Sequence, residues 1–308
     1  MIEMASASGL HLVPAGQRDP RFTTSFGTGE LILDALQLGA ETMIIGIGGS
    51  ATNDGGAGMM QALGARLLDK QGEPLAAGGE ALLNLHQIDM ENVDPRLLST
   101  ELRVACDVDN PLCGVNGASA VFGPQKGATP EMVKQLDAAL RCWGELIFTL
   151  TGQSVAELPG AGAAGGVGAA LSGLLGGKLE PGIKIVTDAL HLAQHIQGAD
   201  LVITGEGRID SQSIHGKTPI GVAQVAAQFS VPAIALVGGM AKDYAVVHQH
   251  GLAVVLSVVN RIVSFSEAME EAADNLRVTA RNVAAVWQLA SKETSNVPPV
   301  SYRRCESN

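Results

Sequence analysis

The chain has 308 residues, 38 of them glycine and only 3% of them aromatic, so it is long enough for two domains and must pack its backbone through many tight turns. A formal net charge of −11 argues against nucleic acid or an anionic membrane surface as partner, while leaving room for a small anionic substrate held by a local cationic cluster and a divalent ion. No run reaches transmembrane length and no charged-then-apolar leader opens the chain, so the cytosol is the default compartment; a homo-oligomer stays open.

In chain order, residues 1–4 read as the middle of a strand with no turn or cap before it, and an upstream segment is therefore expected. Thr28 offers an N-cap for a helix whose apolar positions 31, 32, 33, 35 and 36 keep helical spacing until Gly39. Residues 42–47 form an apolar strand that enters a glycine-rich stretch, 48–58, and then a helix to Leu63. Two readings of that stretch stand side by side. Its backbone N–H groups can meet phosphate oxygens, with Asp54 placed for Mg²⁺ rather than for phosphate, or it is a tight strand-to-helix turn that needs glycine. Gly46-x-Gly48-x-x-Ala51 also fits a relaxed dinucleotide fingerprint, with Asp69 near the acidic position, but such a pattern arises easily in a glycine-rich chain.

Residues 70–74 are a turn, and 76–94 carry no clear period. A strand at 102–108 ends in Asp107, followed by a long loop, 112–129, that holds Lys126; loops of this length are often functional, and a plain surface loop is the other reading. Cys106, Cys113, Cys142 and Cys305 lack metal-ligand spacing and read as reduced thiols, with a Cys106–Cys113 disulfide or a lone nucleophile as the other reading. Pro130 starts a helix to about Leu150. A third glycine-rich turn, 159–168, leads into a short helix to Leu175. Thr187 or Asp188 caps a helix carrying His191 and His195, whose spacing suits a metal but lacks an acidic partner, so surface histidines are expected.

From residue 199 the alternation is regular: strand 201–204, polar loop 205–218, helix 219–229, strand 233–237, a helix to His250, strand 253–259 and a long amphipathic helix, 264–290. Strands alternating with helices imply a parallel sheet with right-handed crossovers. The polar loop crowds Glu206, Arg208, Asp210, Ser211, His215 and Lys217 at the carboxyl end of a strand, where open α/β sheets bind ligands; a solvated turn with incidental ion pairs is the plainer reading. Gly216-Lys217-Thr218 imitates the end of a P-loop, but Ser211 stands where its first glycine belongs, which excludes a P-loop NTPase. Glycine-rich loops, scattered acids and Arg/Lys donors are the inventory that phosphoryl transfer needs.

Six runs carry a resemblance in order: 27–32 (Gly-Thr-Gly-Glu-Leu-Ile), 46–56 (Gly-Ile-Gly-Gly-Ser-Ala-Thr-Asn-Asp-Gly-Gly), 105–108 (Ala-Cys-Asp-Val), 122–128 (Phe-Gly-Pro-Gln-Lys-Gly-Ala), 159–166 (Pro-Gly-Ala-Gly-Ala-Ala-Gly-Gly) and 204–213 (Thr-Gly-Glu-Gly-Arg-Ile-Asp-Ser-Gln-Ser). Together they resemble the bacterial glycerate kinases that make 2-phosphoglycerate, across nearly the whole chain to about Ala290. The resemblance implies an α/β protein of two domains with a cleft between them: a mixed α/β domain at 1–195, inserted into a Rossmann-like parallel-sheet domain whose carboxyl part is 196–291, and a polar tail at 292–308. It implies transfer of the ATP γ-phosphoryl group to the 2-hydroxyl of D-glycerate, with Mg²⁺, in organic-acid catabolism. The family's N-terminal segment, with its Asp-Ser-Tyr-Lys-type and Asp-Gly-Gly-Glu-Gly-type motifs, has no counterpart in this sequence. A truncated remnant that binds ligand without turnover is thus a competing expectation, and a dinucleotide-dependent oxidoreductase a further one.

The expected roles follow. Asp210 orients or deprotonates the substrate hydroxyl, and Arg208 and Lys217 neutralise phosphate or carboxylate. Asp54 and Asp107 hold Mg²⁺. Gly48, Gly49, Ser50, Asn53, Gly55, Gly56, Lys126, Glu206 and Ser211 contact substrate or nucleotide. Asp54, Asp107 and Asp210 are expected to converge on one opening.

Overall fold

The computed structural model describes residues 1–214 and 216–293 and divides into two compact units, one from Met1 to Val186 and one from Thr187 onward. His215, Cys305 and the polar tail beyond residue 293 lie outside the described residues.

The first unit runs β1 (Ile2–Glu3), α1 (Ala5–Ser8), α2 (Phe26–Gln37), β2 (Thr42–Gly46), α3 (Ala57–Ala62), β3 (Arg66–Leu68), β4 (Gln87–Asp89), β5 (Glu101–Ala105), α4 (Ala118–Phe122), α5 (Pro130–Thr151), α6 (Ala163–Gly173) and β6 (Lys178–Glu180). Four of the strands form a parallel sheet in the order β1-β2-β5-β6, and β3 pairs antiparallel with β4. Alternate residues of the two central strands, Met43 and Ile45 on β2 and Leu102 and Val104 on β5, are buried, as the period-two geometry of a strand requires. The longest helix of this unit, α5, opens on Thr129, whose Oγ1 accepts the Met132 N–H, and on Pro130 at its first position; it closes at Gly152 in a left-handed conformation. Its buried face, Leu136, Ala139, Leu140, Trp143 and Ile147, keeps a spacing of three and four. Trp143 is fully buried, and its Nε1–H donates to the Gly55 carbonyl at 2.8 Å.

α7 (Gly182–Ala189) crosses the division between the units. The second unit continues with α8 (Leu192–Ile196), β7 (Val202–Ile209), α9 (Thr218–Gln228), β8 (Ala233–Met240), β9 (Leu252–Ser257), α10 (Phe265–Glu270) and α11 (Ala272–Glu293). Its three strands are parallel in the order β7-β8-β9, and Ile220, Ala223 and Ala226 of α9 pack with Ala235, Val237 and Leu252. Both sheets with their helices make the α/β class expected from the alternation.

Several local expectations change. Thr28 is not a cap: α2 begins two residues earlier, and the Thr28 hydroxyl is buried against the Ser8 hydroxyl at 2.9 Å. The loop at 112–129 is partly helical, containing α4 and a 3-10 turn at Pro124–Lys126. His191 sits at φ +51 between α7 and α8, so it shares no helix with His195. The closing helix is two, with α10 capped by Ser264 and ending before Glu271. The largest change is that β7 runs on to Ile209, so Glu206 and Arg208 are strand residues rather than loop residues. Gly205 and Gly207 are poor strand formers, but β8 pairs with Gly205, Glu206 and Arg208 and on to Ile209↔Met240. A Cβ on Gly238 would lie 2.5 Å from the Gly207 carbonyl oxygen, so glycine at 238 permits that close approach.

Candidate functional site

In the first unit, chemistry gathers beyond the carboxyl ends of β2 and β5. The chain leaving β2 is pinned by backbone bonds to the start of the chain, Leu10 N–H to Gly49 O and Ala51 N–H to Ser8 O, each 2.8 Å. Gly48 and Gly49 are exposed, whereas every residue from Ala51 to Met60 is buried. Gly48, Gly49, Ser50, Asp107 and Lys126 line one cavity of about 500 Å³, shared with Cys106 and with Ala164 at φ +55. Lys126 is only 2% exposed; its Nζ donates to Ser50 Oγ at 2.9 Å and to the Thr52 carbonyl at 2.6 Å. Burial pulls its ammonium down to about 8, partly offset by the field of Asp54.

Asp54 lies elsewhere in chemical terms. It is fully buried, and its Oδ2 accepts from Ser25 N–H and Ser25 Oγ, both at 2.8 Å, and from Gly58 N–H at 3.2 Å, while Oδ1 accepts from Gly56 N–H at 3.1 Å. This carboxylate caps α3 and ties it to the start of α2, an arrangement that leaves it no room to ligate Mg²⁺. Gly55 and Gly56 are likewise packing positions: a Cβ on Gly55 would lie 2.6 Å from Trp143, and one on Gly56 2.7 Å from Ala170. Asn53 is buried and donates from Nδ2 to Ser119 Oγ at 2.9 Å; its Oδ1 and Thr52 Oγ1 have no partner among the described residues. Behind this stretch, Gly165 at φ +70 touches the Thr52 carbonyl so closely that any side chain would clash, and its own carbonyl accepts Gly55 N–H at 2.9 Å. The two glycine-rich turns thus lock each other. The dinucleotide fingerprint fails here because α3 begins only at Ala57, well past the glycines that should open a helix.

Asp107 is exposed and gives one oxygen to Gly182 N–H at 2.8 Å. Its other oxygen suits Mg²⁺, which is commonly held by one or two carboxylates together with substrate phosphates. Among the described residues no three His, Cys, Asp or Glu side chains gather around a common point, so a metal here depends on ligand oxygens.

In the second unit, Glu206 and Arg208 line a cavity of about 1100 Å³ that runs along β7 from Ile203 to Arg208 and is walled on its other side by residues of α10 and α11. Asp210 follows β7; its Oδ1 accepts from Ser213 Oγ at 3.0 Å and Lys217 Nζ at 3.3 Å, and Lys217 also reaches Ser213 Oγ at 3.2 Å. The Ser213 hydroxyl above all holds the Asp210 carboxyl below its usual range; burial opposes it, and Lys217 and the field of Arg208 add smaller downward pulls. Ser211 faces Asp243, whose carboxyl its hydroxyl likewise holds low. Gly48, Gly49, Ser50, Asp107 and Lys126 thus gather in the first unit and Glu206, Arg208, Asp210, Ser211 and Lys217 belong to the second, while Asn53, Asp54, Gly55 and Gly56 are buried in packing.

Sequence reasoning did not single out Ser25 or Ser213 as members of these surroundings. Ser25 had a signal, since it is a capping residue type immediately before α2, but the partner it serves is 29 positions away.

Parallel strands whose carboxyl-end loops line a ligand-sized cavity, as those after β2 and β5 do, define an α/β protein with a small-molecule site. The model of the glycerate kinase family matches residues 1–288. A glycerate kinase of Haemophilus influenzae is 56% identical over 286 residues, which are 93% of this chain and 76% of that protein. A glycerate 2-kinase of Escherichia coli K12 is 57% identical over 291 residues, 94% of this chain and 76% of that one. A crystal structure of a protein assigned as glycerate kinase 2 from Salmonella typhimurium LT2 superposes with a TM-score of 0.83 at 56% identity, covering 94% of this chain and 76% of the other. The chain belongs to the glycerate kinase family. No helix among the described residues is long and apolar enough to cross a membrane.

Proposed function

We propose that the protein transfers the γ-phosphoryl group of ATP to the 2-hydroxyl of D-glycerate, giving 2-phosphoglycerate and ADP. The observation that carries this reading is the family match over residues 1–288, which takes in every candidate residue from Gly48 to Lys217. Its support in chemistry is that phosphoryl transfer asks a protein mainly to position its reactants and to stabilise spread negative charge.

Asp210, kept ionised by Ser213 and Lys217, accepts a hydrogen bond from the substrate hydroxyl and receives its proton as the new ester bond forms. Lys217 and Arg208 neutralise charge on the phosphoryl or carboxylate oxygens, and Glu206 fixes the orientation of a ligand hydroxyl. Gly48 and Gly49 let anionic oxygens approach the main chain, with Ser50 and Lys126 beneath them. Asp107 holds Mg²⁺, which supplies charge neutralisation of the phosphates when bound.

An ADP-release assay coupled to a reporter enzyme, with D-glycerate as acceptor, tests the reading. Turnover that requires both ATP and D-glycerate is the expected result. Binding of either ligand without turnover would show a ligand-binding remnant instead, and binding of a nicotinamide dinucleotide in place of ATP would show a different chemistry altogether.

A further inference from the structure

Among the described residues Lys126 is the sole buried lysine, and no carboxylate lies within ion-pair distance of it. Buried charges are ordinarily paired, because removing an ammonium from water is costly and only a counter-charge or hydrogen bonds repay it. The acid whose field it feels is Asp54, and that carboxylate is already committed to Ser25, Gly56 and Gly58. An ammonium carries three protons. Two go to neutral acceptors, Ser50 Oγ and the Thr52 carbonyl, and the third has no acceptor among the described residues. Lys126 nevertheless lines the cavity beyond β2 and β5, beside Gly48 and Gly49. A buried cation with a spare donor, on a residue that lines one cavity, is completed by a negative oxygen from that cavity.

We propose that Lys126 is the cation of an anionic-oxygen subsite in this cavity, taking a carboxylate or phosphoryl oxygen of the ligand. The subsite is built from first-unit residues alone, with Ser50 and Thr52 aiming the ammonium. The proposal rests on the cavity being a ligand site, and it holds whether the oxygen comes from a hydroxy acid or from a nucleotide.

The test uses the full chain, wild type and the variants Lys126→Met and Lys126→Gln, with D-glycerate, glycerol, ADP and inorganic phosphate as separate probes at constant ionic strength. Glycerol has the hydroxyls of glycerate without the carboxylate. Thermal shift and calorimetry should show wild type stabilised by an anionic probe and not by glycerol, with both variants weakened at least about 30-fold for that probe, as expected for deleting one partner of a buried charged contact. Loss confined to D-glycerate assigns the subsite to the carboxylate, and loss for ADP or phosphate assigns it to the phosphoryl group. Folded variants that bind every anionic probe as wild type does overturn the proposal. Should neither variant fold, lysine-¹³Cε NMR of wild type decides, because the anion must move the Lys126 resonance, and an unmoved resonance overturns the proposal too. Turnover by wild type alongside unchanged binding in the variants refutes this inference and leaves the kinase reading standing. Anion binding lost in the variants of a protein that shows no turnover does the reverse.

Discussion

Raising the pH through the range where Lys126 loses its proton should stabilise the ligand-free protein. Burial lowers this ammonium from 10.5 to about 8, a difference that corresponds to about 3 kcal/mol of unfavourable interaction in the charged folded form. Below about pH 8 both folded and unfolded chains carry the proton, and the full cost is present. Between about 8 and 10.5 the folded chain has released it and the unfolded chain has not, so the unfolded state binds more protons and stability rises with pH. Above 10.5 both states are neutral and the effect is complete. Urea unfolding of wild type and Lys126→Met at half-unit steps from pH 7 to pH 11 isolates the contribution, because every other titrating group is common to both proteins. The wild-type free energy should gain on the variant by about 3 kcal/mol across that window. Parallel curves would refute the reasoning, and would mean that water or a rearranged acceptor solvates the ammonium in the folded state.

Three other outcomes are expected. Asp210→Asn should lower kcat by about 10²–10⁴ in the coupled assay with the fold intact by circular dichroism, and near-normal turnover would remove Asp210 from its proposed role. Asp54→Asn should destabilise by about 2–4 kcal/mol in urea, because an amide cannot satisfy four converging donors; in the proteins that remain folded, the Mg²⁺ dependence of turnover should stay as in wild type, which a metal-ligand role for Asp54 would contradict. Trp143→Ala should cost about 3–5 kcal/mol by the same measurement, since it empties a fully buried site and leaves the Gly55 carbonyl without its donor.

Much of the fold was legible in the chain because its signals are local. The apolar runs of β2, β5 and β8, the Thr129-Pro130 start of α5 and the Ser264 start of the closing helices each announce themselves within a few residues. The extension of β7 was not legible, since Gly205, Glu206 and Gly207 argue against a strand until Leu236 and Val237 of β8 are known to lie alongside Gly205 and Glu206. The division of labour within the stretch after β2 was equally hidden. The stretch from Gly48 to Gly56 opens and closes on the same Gly-Gly pair, yet the first two glycines line a cavity while the last two lie against Trp143 and Ala170.

What the sequence determined by itself is the α/β class, the family and the short list of polar residues at strand ends, because periodicity and ordered motifs are properties of neighbours along the chain. Tertiary structure alone decided which of those residues are available for chemistry. Asp54 and Asp107 look alike in a sequence, but Ser25, Gly56 and Gly58 surround the one while a single backbone N–H from Gly182 meets the other. Whether a carboxylate or an ammonium is spent on the fold or free for a ligand depends on donors and acceptors brought in from distant positions, and only the packed chain brings them there.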